Sequence, residues 1–214
     1  MNSCIRLLLL LTAGLCCLRC ADQVQAQTPA AGPPHAGVSH TNQPPLTRLE
    51  ELELLTGRVL IKGTEDIGTV NGRNGTITLK CEELQDVVSN QRVLGLVLQV
   101  RQSATPGAAG AEEGREELTT VDADEVDPLV QAVNYISRAD PSVSPLTHFE
   151  ASYSTRGALT VASYSSRRRS DVEAAVTIQR ATRCRVGLTL AQFAEFKQLL
   201  ERGQAKLEEL RKPR

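Results

Sequence analysis

The side chains best equipped for chemistry are arginines of the C-terminal half. Arg167, Arg168 and Arg169 form the one basic run, and Arg156 and Arg180 lie nearby in the sequence. A guanidinium presents a planar fork of donors that suits carboxylate and phosphate, so these five could form an anion-binding rim. Tyr153 and Tyr164, each inside an Ala-Ser-Tyr-Ser tetrapeptide, could add stacking surfaces beside it, a combination suited to an anionic polymer. The competing reading is a solvated hairpin loop whose charges discourage edge pairing.

Other candidate centres are weaker. Asp122, Asp124, Glu125 and Asp127 form the densest carboxylate group. A calcium loop wants oxygen ligands at alternate positions and a glycine at its turn, where this segment has Val126 and Pro128; acids at a helix start, complementing its dipole, are the simpler account. His148 is the sole imidazole of the folded part, and no Gly-x-Ser-x-Gly elbow accompanies it. His35 and His40 sit in a Pro-rich stretch and make no closed metal site. No phosphate-binding glycine loop or paired Cys-x-x-Cys is present. Neither a catalytic residue nor a metal or cofactor is therefore assigned. A hydrolase built from dispersed carboxylates stays open as an alternative, because carboxylate separation is a three-dimensional quantity.

Residues 1–26 read as a cleavable export signal. Arg6 supplies the positive start, Leu7 to Leu18 the apolar run, and Val24-Gln25-Ala26 the small-residue cleavage site. That run falls short of the ~20 residues of a membrane span, which disfavours an uncleaved anchor. Leu15, before Cys16, is too large for a lipidation site. Removing Arg6, Arg19 and Asp22 with the leader leaves 22 basic and 24 acidic residues, net −2. So small a net charge exerts no global pull on nucleic acid or anionic lipid. Cys4, Cys16, Cys17 and Cys20 leave too, so only Cys81 and Cys184 could pair in the periplasm or outside the cell. Such a bridge would close a loop of about a hundred residues, worth about 4–5 kcal/mol in the chain-entropy model; two buried thiols are the alternative.

The elements that must position these groups begin after a tether. Residues 27–46 hold Pro29, Pro33, Pro34, Pro44 and Pro45 and have too little apolar content to offset ordering entropy, so they read as disordered. Thr47 and Glu50 have capping-box spacing, predicting a short helix with Leu49, Leu52 and Leu55 on one face before Gly57. Residues 47–211 then read as one α+β domain containing two copies of a pattern, strands followed by a helix. Unit one, 57–140, has strands at 59–61, 67–70, 76–81, 93–100 and 116–121, with Asn71-Gly72-Arg73-Asn74-Gly75 as a hairpin turn. Asn74-Gly75-Thr76 also matches a glycosylation acceptor. A flexible insertion spans 103–115. The helix of unit one could start at Asp122 or Asp127; the second is favoured, since it places Pro128 at the first helical position. Unit two, 146–211, has strands at 149–155, 158–164, 172–180 and 184–188, a hairpin at Arg156-Gly157, and a helix capped by Thr189 with Gln192. Two antiparallel sheets, each carrying a helix, would pack about a pseudo-twofold axis.

This layout resembles the Whirly and transcriptional-coactivator type of single-stranded-DNA-binding fold, in the topology of residues 57–211 alone. The chain also resembles uncharacterised exported bacterial proteins with a Pro-rich leader and a strand-rich body. The resemblance implies the architecture and places no nucleic-acid-contacting residue on this sequence. The expected function is an exported, non-enzymatic binding or structural domain whose partner is a protein or an anionic polymer; the slightly acidic charge argues against nucleic acid. N-terminal sequencing of the exported protein should find Gln27 first. An intact Met1, or a lipid-blocked cysteine, would contradict the leader reading.

Overall fold

The computed structural model describes residues 45–104, 114–165 and 172–212. The leader, most of the tether with His35 and His40, residues 105–113 of the insertion, and Arg167, Arg168 and Arg169 lie outside them. The chain folds as α+β, with two four-stranded antiparallel sheets, each followed by a helix. After α1 (Arg48–Glu53), sheet one runs β1 (Leu60–Gly72), β2 (Gly75–Asp86), β3 (Arg92–Gln102) and β4 (Arg115–Asp122), and α2 (Ala123–Ile136) follows. Sheet two runs β5 (Glu150–Ser154), β6 (Leu159–Ser165), β7 (Val172–Gln179) and β8 (Arg183–Leu188), and α3 (Leu190–Arg211) follows. Neighbours in sequence are neighbours in each sheet.

Alternation along the strands sorts residues between faces. Ile77, Leu79 and Cys81 of β2 lie opposite Val100, Leu98 and Leu96 of β3, and all six are buried. Leu159 and Val161 of β6, Val176 and Ile178 of β7, and Val186 and Leu188 of β8 fill the inner face of sheet two. The two strands expected at 59–61 and 67–70 are one 13-residue strand. A bulge between Asp66 and Gly68 shifts its register, interrupting the alternation that would have shown its continuity.

The two halves exchange parts. The β1–β2 hairpin tip docks on β8: the Arg73 N–H donates to the Gly187 carbonyl at 2.8 Å, and Asn74 bonds Gly187 N–H at 2.9 Å and the Arg185 carbonyl at 3.0 Å. Reciprocally, the β5–β6 tip docks on β4, where the Thr119 hydroxyl donates to the Gly157 carbonyl. The helices bridge the two sheets as well. α3 lies on β1 and β2, while α2 reaches β5 and β6, where the Ser163 hydroxyl donates to the Ile136 carbonyl at 3.1 Å. With both amide atoms of Asn74 engaged, the Asn-Gly-Thr triplet serves as a clamp between the sheets.

Some expectations need correction. α2 starts at Ala123 and places Pro128 inside the helix, rather than starting at Pro128. Val126 decides this: it is buried with Leu129, Val130 and Val133, so the helical face must already exist before the proline. Arg211 donates to the Ala123 carbonyl at 2.5 Å in the same turn. Leu55 lies beyond α1 and is exposed, leaving Leu49 and Leu52 to anchor that helix. Cys81 and Cys184 are free and buried. Cys81 lies opposite Leu96, whereas the Cys184 thiol reaches the Val100 carbonyl, four residues or about 13 Å further along β3. Burial pushes the Cys81 thiol up to about 11 and raises that of Cys184. Gly203, which costs α3 intrinsic helicity, has a packing role: a Cβ there would stand 3.0 Å from both Leu79 and Leu96.

The hairpin docking makes a contrast between two glycines. A Cβ on Gly157 would strike the Thr120 carbonyl and come within 2.6 Å of the Thr119 hydroxyl, whereas one on Gly63 would meet nothing nearer than 3.9 Å. Gly157→Ala should lower stability by about 1–3 kcal/mol and Gly63→Ala by less than about 0.5 kcal/mol, read as midpoint shifts in urea unfolding.

Candidate functional site

The outer face of sheet two forms a concavity of about 640 Å³. Its floor follows from register. Ala162 of β6 lies opposite Ser152 of β5 and Ala175 of β7, and Ala175 lies opposite Gly187 of β8. Four small side chains thus form one row across the strands, a trough between taller rows. Ala162 and Ala175 are 8% and 2% exposed although they face outward, because the walls overhang them. One wall is the row Glu150, Tyr164 and Glu173; the other is Ser154, Thr160, Thr177 and Arg185, followed by Gln179 and Arg183.

Two interactions fix the walls. The Arg185 guanidinium lies over the Tyr164 ring, 5.1 Å from its centroid, a favourable cation–π placement. Arg73, from the docked hairpin of the other half, pairs with Glu173 at 2.7 Å, so both halves build the groove. Neither Arg183 nor Arg185 forms an ion pair with a described residue. His148 and Phe149 stand at the mouth. His148 Nδ1 is 3.4 Å from the Ser165 hydroxyl, which accepts the Phe149 N–H at 3.2 Å. Among the described residues, no carboxylate bonds the His148 ring.

The residues singled out from sequence are dispersed. Tyr164 lines the groove, but Tyr153 faces inward against the core, where burial raises its pKa. Arg156 holds Asp124 at 2.8 Å and Glu125 at 3.2 Å, while its own N–H donates to Glu125 at 3.0 Å. Arg180 grips Glu50 with both terminal nitrogens. The acidic cluster divides among separate partners. Asp122, 1% exposed, accepts the N–H groups of Arg48 and Leu49 at 2.9 and 3.3 Å, so it caps α1 rather than the helix it precedes. Asp127 accepts from Gln204 at 2.8 Å. Among the described residues, no three His, Cys, Asp or Glu side chains converge to hold a metal ion.

Arg183, Arg185, Glu173, Thr177 and Gln179 are the groove residues that sequence reasoning overlooked. One signal was available: Arg183, Arg185 and Gly187 alternate with Cys184, Val186 and Leu188, which puts both arginines on the face away from the core. Their convergence with Tyr164, two strands away, depends on register. Neither protein-family models nor curated protein sequences yield a match to this chain.

The Arg180–Glu50 pair gives a pH test. Burial alone would raise the Glu50 pKa, but hydrogen bonds from Arg180 and the Thr47 N–H outweigh it and hold the carboxyl below its ordinary value. A lowered folded-state pKa stabilises fully above the unfolded value, and that contribution is lost as pH falls through the folded one. Arg180→Gln should therefore cost about 1–3 kcal/mol at neutral pH and flatten the loss of stability between roughly pH 5 and 3, measured by denaturant unfolding across that range.

Proposed function

We propose that this chain is an exported, non-enzymatic binding module whose ligand lies in the groove of sheet two. One observation carries the reading: two like faces are treated differently. On sheet one, α1 covers one end of the outer face, with Leu49 and Leu52 packed against Leu84 and Val93. Gly95 leaves room for it, since a Cβ there would lie 2.5 Å from the Leu49 side chain. On sheet two no described element covers the corresponding face. It presents a trough with cationic, aromatic, hydroxyl and amide groups in its walls, the mixture of apolar body and convergent polar groups that ligand sites use. The leader in the sequence supports an address outside the cytoplasm.

The carboxylates of the groove favour binding over hydrolysis. Glu150 and Glu173 flank Tyr164 in one row, two strand spacings or about 10 Å apart at the backbone. A general-acid carboxyl is kept protonated by apolar surroundings. Glu150 is exposed at the edge strand, and Glu173 is ion-paired with Arg73.

Filling the trough tests the reading. Arrays of oligosaccharides, oligonucleotides and peptides should retain the wild-type chain on at least one class without releasing cleavage products. Ala162→Gln/Ala175→Gln should weaken that retention about tenfold or more, a loss of about 1.4 kcal/mol, at a temperature where circular dichroism shows the variant still folded. Equal retention by the filled variant, or turnover of the bound class, would count against it.

A further inference from the structure

We infer that the groove takes an acidic polysaccharide, its carboxylates or sulfates held by Arg183 and Arg185; this rests on the groove reading above. The two arginines occupy alternate positions of β8 and so project from the same face, about 7 Å apart at the backbone. Two guanidiniums at that spacing can grip one anionic group or two successive ones. Arg185 is held over Tyr164, so less side-chain freedom is lost when it binds. Arg156 is paired with Asp124 and Arg180 with Glu50, whereas Arg183 and Arg185, like Arg138 and Arg202, have no described carboxylate partner.

The rest of the lining distinguishes among anionic polymers. Thr160, Thr177 and Gln179 offer hydroxyl and amide groups in the same wall as the arginines. The opposite wall bears Glu150, whose oxygens can accept hydrogen bonds from sugar hydroxyls, beside Glu173, which Arg73 already engages. A DNA strand carries its charge on every nucleotide and has no sugar hydroxyls within the chain to offer that wall. Sequence-tolerant single-strand grooves also rely on successive aromatic platforms, and the strands of this face present one outward aromatic, Tyr164. A chain that carries sugar hydroxyls as well as anionic groups matches both walls at once. An acidic peptide has the charge but lacks the hydroxyls.

The test is fluorescence anisotropy of the exported chain with a labelled oligogalacturonate, competed by dextran sulfate, a neutral glucan of equal length, oligo-dT and poly-glutamate. Oligogalacturonate or dextran sulfate should compete most strongly, and which one does identifies carboxylate or sulfate. Arg183→Gln and Arg185→Gln should each weaken binding about tenfold, the loss of one charge-assisted contact. Arg183 is exposed, so its variant reports even where Arg185→Gln disturbs the sheet. Oligo-dT or poly-glutamate competing more strongly than either acidic glycan would overturn the ligand class. So would a neutral glucan competing equally with no effect of the arginine variants. In those cases, weakening by Ala162→Gln/Ala175→Gln would leave the groove reading standing. Oligogalacturonate binding that the filled variant does not alter would remove both, and no binding by any probe would remove the inference.

Discussion

Open sheet edges are the constraint on which this structure depends. A four-stranded antiparallel sheet leaves unpaired backbone groups along both outer strands, and such edges invite association. Here the first hairpin of each sheet seals the last strand of the other, with Gly72 and Gly75 against β8 and Gly157 against β4. The approach is too close for side chains at those tips, and backbone and amide hydrogen bonds complete the contact. The bridging helices follow from it. Once the hairpins interlock, α2 reaches across to β5 and β6 and α3 to β1 and β2, burying one continuous core between the sheets.

The two halves share that scheme but differ on their outer faces. Buried Asp122 redirects its carboxylate to the start of α1, and Arg180 of sheet two holds Glu50 of the same helix. α1 is thereby fastened from both sheets onto an apolar patch of sheet one. Sheet two has no such patch: alanine and glycine lie where bulk would be needed to seat a helix, and the surrounding walls are polar. The same architecture therefore seats a helix on one end of one face and leaves the other as a trough.

Much of the fold was legible locally. Both capping boxes, at Thr47 and Thr189, are formed as their spacing predicts, because the interaction spans three residues and needs no tertiary partner. The Asn-Gly and Arg-Gly turns mark hairpins for a similar reason. The start of α2 was not legible, since Pro128 argues locally for a later start while burial of Val126 requires an earlier one. Arg156 and Arg180 read as surface cations, and only packing reveals the carboxylates facing them. Tyr153 and Tyr164 share a tetrapeptide yet face opposite ways: Tyr153 turns to the core, and Tyr164 to the groove.

The sequence by itself determined where most strands and helices lie, how α1 and α3 are capped, and that two strand-rich halves each end in a helix. Those properties depend on side-chain period and on contacts within a few residues. Tertiary structure alone decided that the hairpins are exchanged and the helices bridge the sheets, that Cys81 and Cys184 stay apart, and that Ala162, Ala175 and Gly187 align beneath Tyr164 and Arg185. Each of these depends on the register between strands distant in sequence. A shift of one residue would turn every groove side chain toward the core.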